Sequence, residues 1–270
     1  MSFQIGDDCI IDETATINVI DGFIGPRTII RAGVIIEGYH VEIGAESYLD
    51  IRARIGGGSC WNKESSLVAG DWLHMGVDSH INTAERVTIG HEVGLGVGTK
   101  IFTHGAYLPF DWGFPVQWAP VTIGDYVWLP NAWVNPGVTI ESFVVVAANS
   151  LVNSTRLEGH ALYAGIPAKK VRDIPFYRQS NYRQNQILSD VVRKTKLQLA
   201  GDLDHHEFEV KVGGVIRVDE TLFMMPSRMI IGPVTEVTEI FKNQLRRNGV
   251  RFRYIADGGE YRPWDEVSLL

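Results

Sequence analysis

The feature that most constrains this chain is a six-residue period. Aliphatic residues fall at Ile89, Leu95 and Ile101, and after an interruption at Ile123, Leu129, Val134, Ile140, Val146 and Val152, with one five-residue step. The residue four further on is small or β-branched in most of these hexads: Val93, Thr99, Val127, Val138, Val144 and Ser150. A helix repeats every 3.6 residues and a simple strand every 2, so neither writes this pattern. A β-helical solenoid does, each hexad supplying one short flat strand and its turn.

The period extends back to the N-terminus through Ile5, Ile11 and Ile17, then Ile24, Ile30 and Ile36, then Ile43, Leu49 and Ile55. Their small partners are Cys9, Ala15, Thr28, Val34, Ser47, Ala53 and Ser59. Three hexads make one turn of a triangular prism, with the aliphatic residue on the axis and the small one at the bend. Eight or so turns at roughly 4.8 Å each give a column on the order of 40 Å tall. Between Trp61 and Arg86 the pattern blurs: Leu67 and Leu73 keep one phase and Met75, Ile81 and Val87 another, which predicts a phase shift or a small insertion.

Two departures carry functional weight. Residues 105–120 hold no hexads but five aromatics, Tyr107, Phe110, Trp112, Phe114 and Trp118. They read as a loop thrown from one prism corner, and long loops in regular scaffolds usually serve function. The repeats end after Val152, and Gly165-Ile166-Pro167 closes the prism. From 173 onward the text changes to a small α+β domain: a helix within 176–199, strands at Phe208–Val212 and Val215–Val218 around Gly213-Gly214, a helix over Thr235–Arg247 stopped by Asn248-Gly249, and a strand at Val250–Ile255.

Charge and composition narrow the function. A balance of 25 basic and 32 acidic residues gives a net charge of −7, which argues against a nucleic-acid partner. No apolar run reaches membrane-spanning length and the polar start is no signal peptide, so a cytoplasmic protein is expected. The two cysteines, Cys9 and Cys60, then read as reduced and structural.

Three motifs in order, Val121-Thr-Ile-Gly-Asp-Tyr-Val-Trp128, Asn135-Pro-Gly-Val-Thr-Ile140 and Ala164-Gly-Ile-Pro-Ala-Lys-Lys-Val-Arg172, resemble the hexapeptide-repeat acyltransferases, among them galactoside, maltose, xenobiotic and glycan acetyltransferases. The resemblance covers 1–172 and not the last hundred residues. It implies a mainly β chain, with a left-handed parallel β-helix at 1–172 followed by an α+β domain at 173–270. It further implies a homotrimer, acetyl-CoA as co-substrate in a groove between subunits, no metal, and a small-molecule or glycan acceptor.

The residue matching the family's general base is His104, just before the aromatic loop. Imidazole suits the task, since an alcohol attacks a thioester slowly unless its proton is removed. The sugar enzymes usually place this histidine five residues past the last hexad aliphatic, where Ala106 stands here; the earlier His-Gly form occurs in some glycan-modifying relatives. A loop-anchoring role for His104 stays open. For the donor, the resemblance points to Trp128, Asn131, Ala148 and Asn153 along the pantetheine groove. Lys169, Lys170 and Arg172 lie where basic groups would meet phosphates. Packing for Trp128, and a solvated basic turn for the cluster, are the alternatives. Tyr107, Asp111 and Trp112 of the loop are acceptor candidates, aromatic faces stacking on sugar rings. His80 is another, with a structural role beside it; His91 reads as surface.

Two other classes remain. A γ-class carbonic anhydrase shares the prism but needs three histidine ligands, two of them in a His-x4-His spacing, which this chain does not have. A non-catalytic scaffold would bind no coenzyme A. O- versus N-acylation and acyl length are not written in the spacing.

Overall fold

A computed structural model describes residues 3–174, 181–199, 206–211 and 214–263. They form two compact units, Met1–Phe176 and Tyr177–Leu270, a division four residues later than the change in sequence character.

The first unit is the β-helical prism expected from the hexads, of the left-handed kind that the family resemblance implies. One face is a nine-stranded sheet in which every strand but the last comes from a successive coil, running from Ile10–Ile11 through Tyr48–Leu49, His74–Met75, Gly94–Leu95 and Trp128–Leu129 to Ala161–Gly165. The other two faces merge into one 13-stranded sheet because the strands Thr16–Ile24 and Ile35–Ile43 run unbroken around a corner. Registers superimpose equivalent hexads: Ile81 pairs with Ile55 and Ile101, and Val134 with Ile101 and Val152. Stacked in this way, Ile30, Ile36, Ile43, Leu49, Ile55, Met75, Ile81, Leu95, Ile101 and Leu129 are buried to within 1%. Each such side chain contributes about 1.5–3 kcal/mol of hydrophobic stabilisation. The small positions are buried too, Thr28, Ser47, Val93, Thr99, Val127 and Val144 among them. Ile5 and Ile11 of the first coil, stacked on one neighbour instead of two, keep considerable exposure.

The blurred stretch resolves as an insertion, Gly56–Ser65, followed by resumed coils. Val87 pairs with Leu67, and Ile89 with Ala69. Val87 therefore belongs with Leu67, and the axial phase is Ala69, Met75 and Ile81, contrary to the grouping read from the sequence. The small Ala69 on the axis hid the hexad. Ser59, read as a bend partner, is instead an exposed residue of the insertion with φ of 67°.

Both long interruptions leave the prism at the same corner, between the face carrying Arg54–Ile55, His80–Ile81 and Lys100–Ile101 and the face carrying Ser66–Ala69, Val87–Ile89 and Val121–Ile123. The lower insertion lies one coil beneath Asn82, and the aromatic loop one coil above it. The prism closes with Ala161–Gly165 antiparallel to Ala168–Asp173, joined through a cis Ile166–Pro167 bond.

Cys9 and Cys60 are free thiols, each pushed up from its ordinary pKa chiefly by burial.

The second unit holds helix α1 (Asn181–Gln198), helix α2 (Glu236–Arg247) and a six-stranded antiparallel sheet. The strands at Phe208–Lys211 and Val215–Val218 pair as expected, though Val212 and Gly213 lie outside the described residues. The last expected strand begins later, at Tyr254, and pairs with Glu260–Pro263. Thr235 caps α2 through a reciprocal box with Thr238, and Val237, Phe241 and Leu245 on its inner face join Ile216, Phe223, Ile230 and Tyr261 in a core. Lys242 sits over the Tyr254 ring at 4.4 Å, donates to its hydroxyl at 2.9 Å and pairs with Glu239. Tyr261 donates to the same carboxylate, and burial pushes its pKa up to about 12. No helix among the described residues is long and apolar enough to cross a membrane.

Candidate active site

His104 is placed by the shared corner. It follows Ile101 by three residues, and with Gly105 it forms a short antiparallel ribbon with Gln117–Trp118 that pins the base of the aromatic loop. The Trp118 indole stacks on the imidazole, centroids 4.8 Å apart and planes within 20°. Ala119 N–H donates to Thr103 O, and the Gln117 amide donates to Pro136 O at 2.9 Å, fixing the returning strand to the prism.

Beneath the ring lies Asn82, buried to 2%. Its Oδ1 is 2.9 Å from His104 Nδ1 and also accepts from the Thr103 hydroxyl at 2.9 Å and from Ala84 N–H at 3.3 Å. Those donors set the amide's orientation. An amide oxygen only accepts, so Nδ1 must carry a hydrogen. The neutral imidazole then presents its lone pair at Nε2, which has no hydrogen-bond partner among the described residues. This is the tautomer a general base requires. The side-chain amide of Asn82 holds the ring through Nδ1 and leaves the second nitrogen free.

Asn82 went unnoticed in the sequence because its role depends on groups a full coil away. The only available signal was its place three residues before a glutamate in the irregular stretch, which says nothing about chemistry. Trp118 was seen as one of the loop aromatics and not as the ring stacked on His104.

The other predicted residues fall as follows. His80 points outward on the same strand as Ile81 and donates Nε2–H to Gly56 O at 3.1 Å; burial holds its pKa below the ordinary imidazole value. Its ring meets the edge of Phe102, which stacks on Trp133 at 4.8 Å. Tyr107 and Trp112 stand at the loop apex, 98% and 76% exposed, with Asp111 exposed between them. None of the three touches His104 through a hydrogen bond or ring contact. His91 accepts from Asp71 N–H at a surface corner.

On the donor side, Trp128 lies across Gly94, where a Cβ would come within 2.4 Å of its ring. Asn131 takes a left-handed φ of 49° at the next corner and donates to Asn149 at 2.6 Å. Ala148 is exposed at the same corner, and Asn153 is exposed at the corner that carries His104. Between these corners runs the face bearing Lys100, Trp133 and Leu151. Lys169, Lys170 and Arg172 lie on the closing strand, all exposed, and Lys170 is held by Asp173 at 2.6 Å, which raises its pKa. Of the three, Lys169 and Arg172 are the more available to an anion.

Among the described residues no group of three or more His, Cys, Asp or Glu side chains could hold a metal ion. His206 donates from Nδ1–H to the Asp219 carboxylate, 2.8 Å away, in the second unit; His205 lies outside the described residues.

No protein-family model matches the sequence. Solved structures with a similar coil include a hexapeptide-repeat-containing acetyltransferase from Vibrio cholerae, 28% identical over 49% of this chain and 73% of that one, with a TM-score of 0.41. An N-acyltransferase from Bacillus cereus, in complex with dTDP and 3-hydroxybutyryl-CoA, is 16% identical over 70% of this chain and 91% of that one, with a TM-score of 0.47. A maltose O-acetyltransferase from Clostridium difficile is 20% identical over 50% and 67%, with a TM-score of 0.34.

Proposed function

We propose that this chain is a coenzyme-A-dependent acyltransferase, carrying an acetyl group from acetyl-CoA to a hydroxyl of a sugar, nucleotide sugar or glycan precursor, with an amine as the second choice. The observation that carries this reading is the Asn82–His104 hydrogen bond of 2.9 Å, which fixes the imidazole with Nε2 free beside a long aromatic loop. A histidine that only anchored a loop would not need a buried, fully engaged amide to choose its tautomer.

In the reaction, the acceptor oxygen attacks the thioester carbonyl while its proton passes to His104 Nε2. The carbon–sulfur bond then breaks, and the imidazolium returns that proton to the departing thiolate. Asn82 accepts from Nδ1 throughout and stabilises the transient positive charge. The pantetheine arm would lie along the face between the corners of Asn131 and Asn153. Ala148 is small enough to let a thin chain approach, and Lys169 and Arg172 are available to phosphate. A second copy of the prism would close this face into a groove, in a homotrimer.

Thiol release from acetyl-CoA, measured against a panel of sugars, nucleotide sugars and amines, tests the proposal. Release that depends on acceptor supports it. Failure to bind coenzyme A at all would favour the scaffold reading, and stoichiometric zinc in the purified protein would favour the carbonic anhydrase reading.

A further inference from the structure

The geometry points to a second substrate-facing element: the insertion Gly56–Ser65, with Trp61 as a specificity-determining platform for the ring of a saccharide acceptor. This rests on the acyl-transfer reading above and names the wall opposite the aromatic loop.

The prism itself does not need this segment. Chain geometry passes from Ile55 to Ile81 to Ile101 in unbroken register whether or not residues are inserted at the corner. Insertions on one face of a solenoid are where binding concentrates. Here both insertions leave from one corner and bracket the coil that carries Asn82.

The lower insertion is built into that coil. Gly56 O accepts from His80 Nε2 at 3.1 Å and faces the Asn82 side-chain nitrogen at 3.5 Å. Gly57, at φ of 106°, passes so close that a Cβ would lie 3.2 Å from that nitrogen and 3.4 Å from His80 Nε2. Only glycine combines that dihedral with that approach. The backbone of the insertion thus lies directly on the residue that holds His104.

The segment is also rigid at its base. Cys60 is buried, its N–H donates to Gly57 O, and its carbonyl accepts from Tyr39 N–H. The Ser65 hydroxyl lies 2.8 Å from Ser59 O and 3.1 Å from Ala84 O, tying the far end to the Asn82 coil. Yet the apex, Trp61 to Glu64, is exposed, and Trp61 keeps 44% of its surface in solvent. An indole on an anchored turn, beside a polar corner, offers an apolar face and an N–H donor, which suits the C–H face and hydroxyls of a sugar ring.

The test uses the full chain, with maltose, methyl β-galactoside and UDP-N-acetylglucosamine as probes. Trp61→Ala should raise KM for the acceptor that turns over by about five- to tenfold. The KM for acetyl-CoA and the slow hydrolysis of acetyl-CoA by water should not change, and Trp61→Phe should recover most of the loss. An acceptor KM within about twofold of the parent overturns the inference while leaving acyl transfer intact. Should no probe be acylated, the transfer reading fails. The Trp61 indole resonance, assigned through Trp61→Phe, then decides separately: its shift on probe addition upholds the wall, and its invariance removes that too.

Discussion

Replacing Asn82 by leucine tests the chemistry at its least obvious point. Leucine keeps asparagine's branched outline and heavy-atom count, with bulkier methyls, but accepts nothing. Three donors lose Oδ1: His104 Nδ1 at 2.9 Å, the Thr103 hydroxyl at 2.9 Å and Ala84 N–H at 3.3 Å. Thr103 retains Asn82 O at 3.2 Å as an alternative, and the Ala84 bond is long, so the cost to folding should be about 1–3 kcal/mol. Catalysis should suffer more specifically. His104 becomes an imidazolium as the acceptor attacks, and a hydrogen bond to a charged group is worth about 1.5–3 kcal/mol. Lost at the transition state, that predicts a fall in kcat of about ten- to a hundredfold. The KM for acetyl-CoA should stay close to that of the parent, because Asn82 touches no donor position. Steady-state thiol release against the best acceptor, with a thermal melt on the same preparation, reads both quantities. Combined with His104→Ala, the substitution should cost nothing further, since the two residues act as a unit. A folded Asn82→Leu protein with kcat within about twofold of the parent would refute the reasoning.

Other outcomes follow from the same structure. Lys169→Ala and Arg172→Ala should each raise KM for acetyl-CoA by about two- to fivefold, with less effect on a donor lacking the 3′-phosphate; equal effects on both would place these residues away from that phosphate. The second unit should lose stability at alkaline pH. Tyr261 is held protonated up to about 12 when folded, whereas an unfolded tyrosine ionises near its ordinary value of 10.0. Its contribution is therefore complete below pH 10 and disappears as pH climbs toward 12. Tyr261→Phe should flatten the decline in melting temperature across that window, and an unaltered slope would mean another group governs it. Gly57→Ala should impair acyl transfer and lower the melting temperature together, because the added methyl meets both Asn82 and His80 at a left-handed φ; a fully active, equally stable variant would show that the corner can relax.

The prism was legible because its axis admits one kind of side chain. Ile24, Ile43, Ile55, Ile81, Ile101 and Ile123 fill equivalent slots and are all buried, so the sequence repeats wherever the structure does. The reading failed where a slot holds a small residue, as at Ala69, because six-residue spacing is then carried by a side chain that does not stand out. His104 and the aromatic loop were visible as an interruption of the repeat. Asn82 was not. Its partners, Thr103 and His104, lie 21 and 22 residues on in sequence, and proximity across coils is a property of register, which individual residue types do not display. In the second unit, the Thr235-capped helix was readable from local signals, whereas the strands Thr221–Met224 and Met229–Pro233 were not. Their partners are set by antiparallel pairing across the sheet and not by any internal period.

Acceptor-dependent thiol release by the parent chain and by His104→Ala, run side by side at equal protein concentration, bears most directly on the central claim. The account predicts turnover in the parent and a loss of about 10²–10⁴-fold in a variant that a thermal melt shows still folded. Equal rates in the two proteins would contradict it.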